Sequence, residues 1–181
     1  MKTSLLIPFV VSAALLAGCS SLSPGASTGR SVMEQAIGAS DKVAMLPVAN
    51  FTDVPQAGLR VEALLEPALR QAGLRQLAMY PSALNPETLF EPGERKAQAE
   101  AEKWARSQGM RYVVTGAVNE WRYKVGVDGE PAAGVTLQII DVASGDILWS
   151  GTGGKSGWSR EALSAVAQKL MPVAVGLDAS G

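Results

Sequence analysis

The chain of 181 residues sets 16 Lys and Arg against 17 Asp and Glu, is 47% apolar, and holds one cysteine and no histidine. Without histidine there is no Ser-His-Asp or Cys-His machinery, no imidazole metal site and no side chain that ordinarily titrates near neutral pH, and one cysteine excludes an internal disulfide or any site built from two thiolates. The net charge of -1 offers no basic field for nucleic acid, while 18% charged residues, below the roughly 25% usual in soluble domains, leaves room for surface covered in an oligomer.

Met1 to Cys19 reads as Lys2, a mainly apolar stretch from Leu5 to Leu16, and then small residues, which is the layout of a secretory leader. The apolar part is too short for a membrane-spanning helix of about 20 residues. It ends in Leu16-Ala17-Gly18-Cys19, which resembles the bacterial lipobox. That resemblance implies a signal peptide over residues 1–18, cleavage before Cys19, and acylation of the Cys19 sulfur and amino group, palmitate included. The thiol is then closed to redox chemistry and metal binding. Three acyl chains at about 0.8 kcal/mol per buried methylene make such an anchor effectively permanent. Ser20 stands where an inner-membrane retention signal has aspartate, so by resemblance to lipoprotein sorting the chain is expected in the outer membrane, facing the periplasm. Losing Lys2 from the 16 basic residues leaves 15 against 17 acidic ones, a net of -2. Residues 19–40, rich in Ser, Gly and Ala, read as a lipidated tether of about 21 flexible residues that spans roughly 25 Å.

Val43 to Val48 is a short apolar run with a polar exit at Asn50 to Asp53, which predicts a buried strand. From Gly58 to Leu74 the residues Val61, Leu64, Leu65, Ala68, Leu69 and Ala72 recur at helical spacing, with Pro67 inside and Gly73 as a stop. Gln76 to Tyr80 is a short strand, and Ser82 to Gly93, with Pro86 and Pro92, an irregular loop. Glu94 to Gln108 is a helix with Ala97, Ala101, Trp104, Ala105 and Gln108 on one face; the pairs Lys96 with Glu100 and Glu102 with Arg106 are spaced to meet on the other.

Arg111 to Val125 is a long strand, apolar on both faces up to Val118 and alternating beyond it. Val127-Asp128-Gly129-Glu130 is a hairpin turn, Val135, Leu137 and Ile139 mark the returning strand, and Ala143 to Asp146 turns into Ile147-Leu148-Trp149-Ser150, which completes an antiparallel meander. The glycine-rich stretch Gly151 to Gly157 reads as a connection. Ser159 is the expected N-cap of a last helix bearing Leu163, Val166, Ala167 and Leu170, with Trp158 and Leu163 as a hydrophobic staple and Pro172 near its end. The expected fold is α+β, an α/β sandwich: one mixed, mostly antiparallel sheet of about five strands with helices packed on it over residues 41–176, followed by a tail at 177–181.

Met45-Leu46-Pro47-Val48-Ala49-Asn50-Phe51-Thr52 before an amphipathic helix is similar to the opening of TolB N-terminal and CsgG-like domains. The helix, glycine stop and strand of Ala105 to Gly116, and the hairpin of Leu137 to Ser150 with its aspartate turn and tryptophan, resemble the same group in the same order. Within it, Trp121 to Pro131 and Ser156 to Glu161 resemble the PelC family of lipoproteins that serve export of Pel exopolysaccharide, a biofilm matrix polymer. No propeller follows, as TolB would require, and the chain has no spare length for the roughly 10-residue hairpin strands of a CsgG pore. The resemblance implies a homo-oligomeric ring, a dodecamer, partnered by an outer-membrane porin with a periplasmic helical-repeat scaffold and by a cationic amino-sugar polysaccharide. It implies no cofactor and no metal.

Walls lined by one sign of charge concentrate counter-charged ligands, so carboxylates around a ring opening are expected to guide that polymer. Asp128 and Glu130 on the hairpin tip are the leading candidates, with Glu120, Asp53, Asp141 and Asp146 behind them. Three of them have a plainer reading: Asp128 as turn former, Glu130 as a solvated charge, Glu120 as partner of Arg122 or Lys124 on a neighbouring strand or subunit. Trp104 and Trp121 read as core or interface residues, and Trp149 and Trp158 as candidates for the headgroup level of a membrane, where indole is favoured; the resemblance puts Trp149 first, since the staple with Leu163 gives Trp158 a packing role. No residue is assigned to catalysis, because Glu100 and Glu102 point to different sides of a helix and Asp128 and Glu130 share a turn without an evident cleft. A TolB-like envelope adaptor or another CsgG-like secretion accessory is the alternative.

Overall fold

A computed structural model describes residues 37–84, 92–126 and 129–176. Cys19, the leader, the tether up to residue 36, Asp128 and the tail from residue 177 lie outside them. Among the described residues five strands, β1 (Val43–Asn50), β2 (Leu77–Met79), β3 (Tyr112–Tyr123), β4 (Pro131–Asp141) and β5 (Ile147–Ser156), and three α-helices, α1 (Ala57–Gln71), α2 (Pro92–Ser107) and α3 (Leu163–Ala174), follow in the order β1-α1-β2-α2-β3-β4-β5-α3. The strands make one sheet in the order β2-β1-β3-β4-β5. β1 lies parallel to both β2 and β3, while β3–β4 and β4–β5 are antiparallel, so the sheet is evenly mixed.

The alternation of side chains along the strands assigns each face its layer. On one face Val43, Met45, Val114, Val118, Trp121, Val135, Leu137 and Ile139 meet Val61, Leu65 and Leu69 of α1 and Val166, Leu170 and Met171 of α3. Each fully buried aliphatic side chain here contributes about 1.5–3 kcal/mol. Ile37 is buried in this core, so the folded unit includes residues ahead of Asp41. On the other face a smaller cluster joins Ala44, Leu46 and Val113 to Ala101 and Ala105 of α2, with Ile140 packed against it, and Trp104 meets Tyr80 edge-on at 5.3 Å. Beyond α2 that face is polar. Asn119 Nδ2 donates to Thr136 Oγ1 (2.7 Å), whose hydroxyl lies 3.2 Å from that of Thr152.

Several elements differ from the sequence expectation for identifiable reasons. β5 runs through the glycine-rich stretch read as a connection, because α3 lies directly on it: a Cβ at Gly153 would stand 3.0 Å from Leu170 Cδ1, and one at Gly151 would stand 2.5 Å from the Trp149 ring. α2 starts at Pro92, where the missing N–H costs nothing, and Glu100 pairs with Lys103 at 2.9 Å rather than with Lys96. α3 starts at Leu163 behind Ala162, with no side-chain cap of its own, and Trp158 is 84% exposed, so neither the Ser159 cap nor the staple forms. The first α3 N–H, that of Leu163, donates instead to the Tyr123 hydroxyl at 3.1 Å.

Candidate functional site

The register fixes which candidates can act together. β1, β3 and β5 all run toward one end of the sheet, where Asn50 pairs with Val118, Tyr123 with Pro131 and Ala132 with Ser156. This hairpin end carries Asp53, Glu120, Glu130 and the Trp158 loop. The opposite turn end carries Asp141 and Asp146, where Tyr112 pairs with Asp141. β3 alone separates the two ends by roughly 36 Å at 3.3 Å per residue. The six acidic candidates therefore do not form one cluster within a subunit.

At the hairpin end the carboxylates stand beside cations. Glu120 Oε1 accepts from Arg122 Nε at 2.9 Å, the nearer of the two partners considered from sequence. Lys124 Nζ donates to Ser156 Oγ (2.7 Å) and lies 3.9 Å from Glu130 Oε2, and its backbone N–H donates to the Glu130 carbonyl (2.7 Å), which closes the hairpin. Asp53 is exposed in the β1 exit loop, which is shaped by Asn50 Nδ2 donating to the Val54 carbonyl and by Thr52 N–H donating to Asn50 Oδ1.

The loop from Gly157 to Ala162 is held by Glu161. Its carboxylate accepts Lys169 Nζ at 2.6 Å and the Trp158 N–H at 3.2 Å, and those two bonds, the lysine's first, hold it below the ordinary carboxylate range. Gly157 has no room for a side chain, since a Cβ would stand 2.5 Å from both Glu161 Oε2 and Val166 Cγ2. Trp158 projects into solvent. Trp149, by contrast, is partly buried against the main core. Of the two membrane candidates, Trp158 presents a free indole on the isolated subunit and Trp149 has a packing partner.

At the turn end Asp141 builds its own turn. Its carboxylate accepts the N–H groups of Ala143 (2.8 Å) and Ser144 (3.1 Å), and these bonds, Ser144 first, lower its pKa. Asp146 is exposed, and its N–H donates to Ser144 Oγ. A shallow depression of 430 Å³ beside this turn is lined by Arg106, Met110, Arg111, Asp141, Val142 and Ala143. The Arg111 guanidinium is already engaged, with Asp41 at 2.9 Å and the Tyr112 ring at 4.9 Å.

Two functional-looking side chains escaped the sequence reading. Glu62 sits on α1 beside core residues Val61 and Leu65, and its Oε1 accepts the Val48 N–H at 2.8 Å, where β1 shifts register between Met45 and Val48. Burial raises its pKa, against the smaller opposing effect of that bond. Gly58, one turn earlier, lets α1 press on the Val48 carbonyl, and that close-approach glycine is the only sequence hint of the contact. The other is Tyr123, whose hydroxyl caps α3 although its alternation suggested only a sheet face. Among the described residues no three Asp, Glu, Cys or His side chains are grouped to hold a metal, and no helix is long and apolar enough to cross a membrane.

A PelC dodecamer from Paraburkholderia phytofirmans is 42% identical, with a TM-score of 0.64 over 78% of this chain and 89% of the other. The chain belongs to the PelC family. A point variant of the same PelC dodecamer agrees, at 41% identity and a TM-score of 0.64 over 78% of this chain and 90% of that one. Lipoprotein GNA1162 from Neisseria meningitidis, 20% identical with a TM-score of 0.53 over 70% of this chain and 90% of the other, shares the fold. No protein-family model and no curated protein matches the chain. The mixed five-stranded sheet with its three helices is thus the architecture expected for a PelC-family chain.

Proposed function

We propose that this PelC-family protein is an outer-membrane lipoprotein, anchored through Cys19 on the periplasmic side, that forms a homo-oligomeric ring of twelve subunits. The ring assists export of the cationic Pel exopolysaccharide by guiding it to an outer-membrane porin with a periplasmic helical-repeat scaffold. The observation that carries this reading is the 42% identity to a PelC dodecamer over 78% of the chain. The protein performs no catalytic step and takes no cofactor; its work is electrostatic.

The guiding carboxylates are those of the hairpin end, Asp128 and Glu130 first and Glu120 and Asp53 behind them. Glu120 and Glu130 are exposed enough that their pairs with Arg122 and Lys124 are worth about 0–1 kcal/mol. Such partners exchange readily for ammonium groups of a passing polymer, and a ring repeats each weak contact, so the chain is attracted without being trapped. Asp141 serves its turn. Trp158, exposed on the subunit, meets the headgroup level, whereas Trp149 is partly buried against the core.

Reversing Asp128 and Glu130 together, Asp128→Lys with Glu130→Lys, should lower secreted polymer severalfold in cells that depend on this chain, at unchanged protein level. Undiminished export would remove these residues from the guide. Cys19→Ala should release the protein from the membrane fraction.

A further inference from the structure

We propose that subunits join flank to flank through the sheet edges: the open edge of β5, with Ile147, Leu148 and Val173 beside it, seats against the β2 flank of a second copy, where Leu84 stands exposed. This rests on the homo-oligomeric reading above and specifies the surface that makes it.

The sheet order leaves two edges, β2 and β5, on opposite flanks. Pairing with β4 uses the backbone groups on one side of β5; those on the other side point away from the sheet, and among the described residues none of them is bonded. An open edge of this length is normally guarded by charge or proline. Here the ten-residue strand ILWSGTGGKS holds no proline, and its one charge, Lys155, lies near the end. Large apolar side chains stand exposed beside it: Ile147 is 56% exposed, Leu148 43% and Val173 45%. Val173 belongs to this flank because the last turn of α3 lies on β5, with the Ala174 carbonyl 3.4 Å from a Cβ placed at Gly151.

The opposite flank offers a different surface. β2 has only three residues, ends at Met79 shortly before Pro81, and is followed by Leu84 at 53% exposure. A rotationally closed assembly joins unlike patches, whereas one edge meeting itself would stop at a dimer. The two edges also agree in direction, because β2, β1, β3 and β5 all run the same way in this sheet. A copy rotated about an axis along the strands therefore brings its β2 beside β5 without inversion. That arrangement removes both free edges and gathers every hairpin end, with Asp53, Glu120 and Glu130, on one rim.

The test places the photo-crosslinker p-benzoylphenylalanine at Leu148 of the full chain in detergent, with Lys103 on the outer face of α2 as the control site. Light scattering gives the mass before irradiation. Irradiation should give crosslinked dimers from position 148 but not from 103, and the attached peptide should come from residues 77–84 of the second copy. Leu148→Asp should lower the mass at least tenfold toward the monomer with the circular dichroism spectrum unchanged. An oligomer whose position 148 crosslinks to another surface, to its own β5 or to nothing, or that persists with Leu148→Asp, overturns the seam and leaves the assembly standing. A monomeric wild-type chain overturns both.

Discussion

Glu62 carries a cost and a benefit on one carboxylate. Its Oε1 holds the Val48 N–H at the β1 irregularity, and burial raises its pKa above the ordinary 4.5. A folded pKa above the unfolded one means that ionisation opposes folding: the penalty is full at neutral pH and is relieved as pH falls through the raised value toward 4.5. Glu62→Gln keeps an acceptor without the charge, so it should be at least as stable as wild type at pH 7 and flatten the stability profile between 4.5 and the raised value. Glu62→Ala leaves Val48 N–H unpaired and should lose about 1–3 kcal/mol in urea unfolding. Tyr123 is simpler. Tyr123→Phe removes the acceptor of the first α3 N–H and should cost about 1 kcal/mol by the same measurement. Neither role was legible in the sequence, since both bonds join residues far apart in the chain and neither residue type announces its partner. For Glu120 the partner type was legible but not its place: an Arg122 or Lys124 of a neighbouring strand or subunit was expected, and Arg122 reaches it instead from two residues on along the same strand.

At the scale of elements, apolar periodicity located β1, β3, β4 and all three helices to within a few residues, since those segments bury one face on a regular spacing. β5 was only half visible. Its first half carries Ile147, Leu148 and Trp149, but from Gly151 on it holds three glycines, of which Gly151 and Gly153 are set by contact with α3 rather than by strand propensity. The two halves of that logic can be separated by substitution. Gly153→Val drives side-chain atoms into Leu170 and should destabilise the fold by about 1–3 kcal/mol, whereas Gly154→Val, whose Cβ would lie 3.9 Å from the nearest atom, should leave stability within about 0.5 kcal/mol. Equal losses at both positions would mean that α3 does not set the glycines. The α3 start was misread because a serine-led turn and an exposed tryptophan imitate a capped, stapled helix, while the real cap comes from another strand.

For the whole molecule, composition named the question and topology narrows it. A net charge of -1 says nothing of arrangement, and the subunit divides its acidic candidates between two ends roughly 36 Å apart. At the hairpin end Glu120 pairs with Arg122 and Glu130 lies near Lys124, which partly offsets both charges. On the proposed reading the field that guides a cationic polymer comes from repetition, with the same rim presented by many copies. The lipobox, the lone cysteine and the missing histidine were readable from sequence, whereas the two ends were not, because register between distant strands decides them. Every one of these roles requires assembly, and the mass of the detergent-extracted full chain, measured by light scattering, decides it: a closed particle of twelve copies is expected, and a monomer at the same protein concentration would rule the ring out.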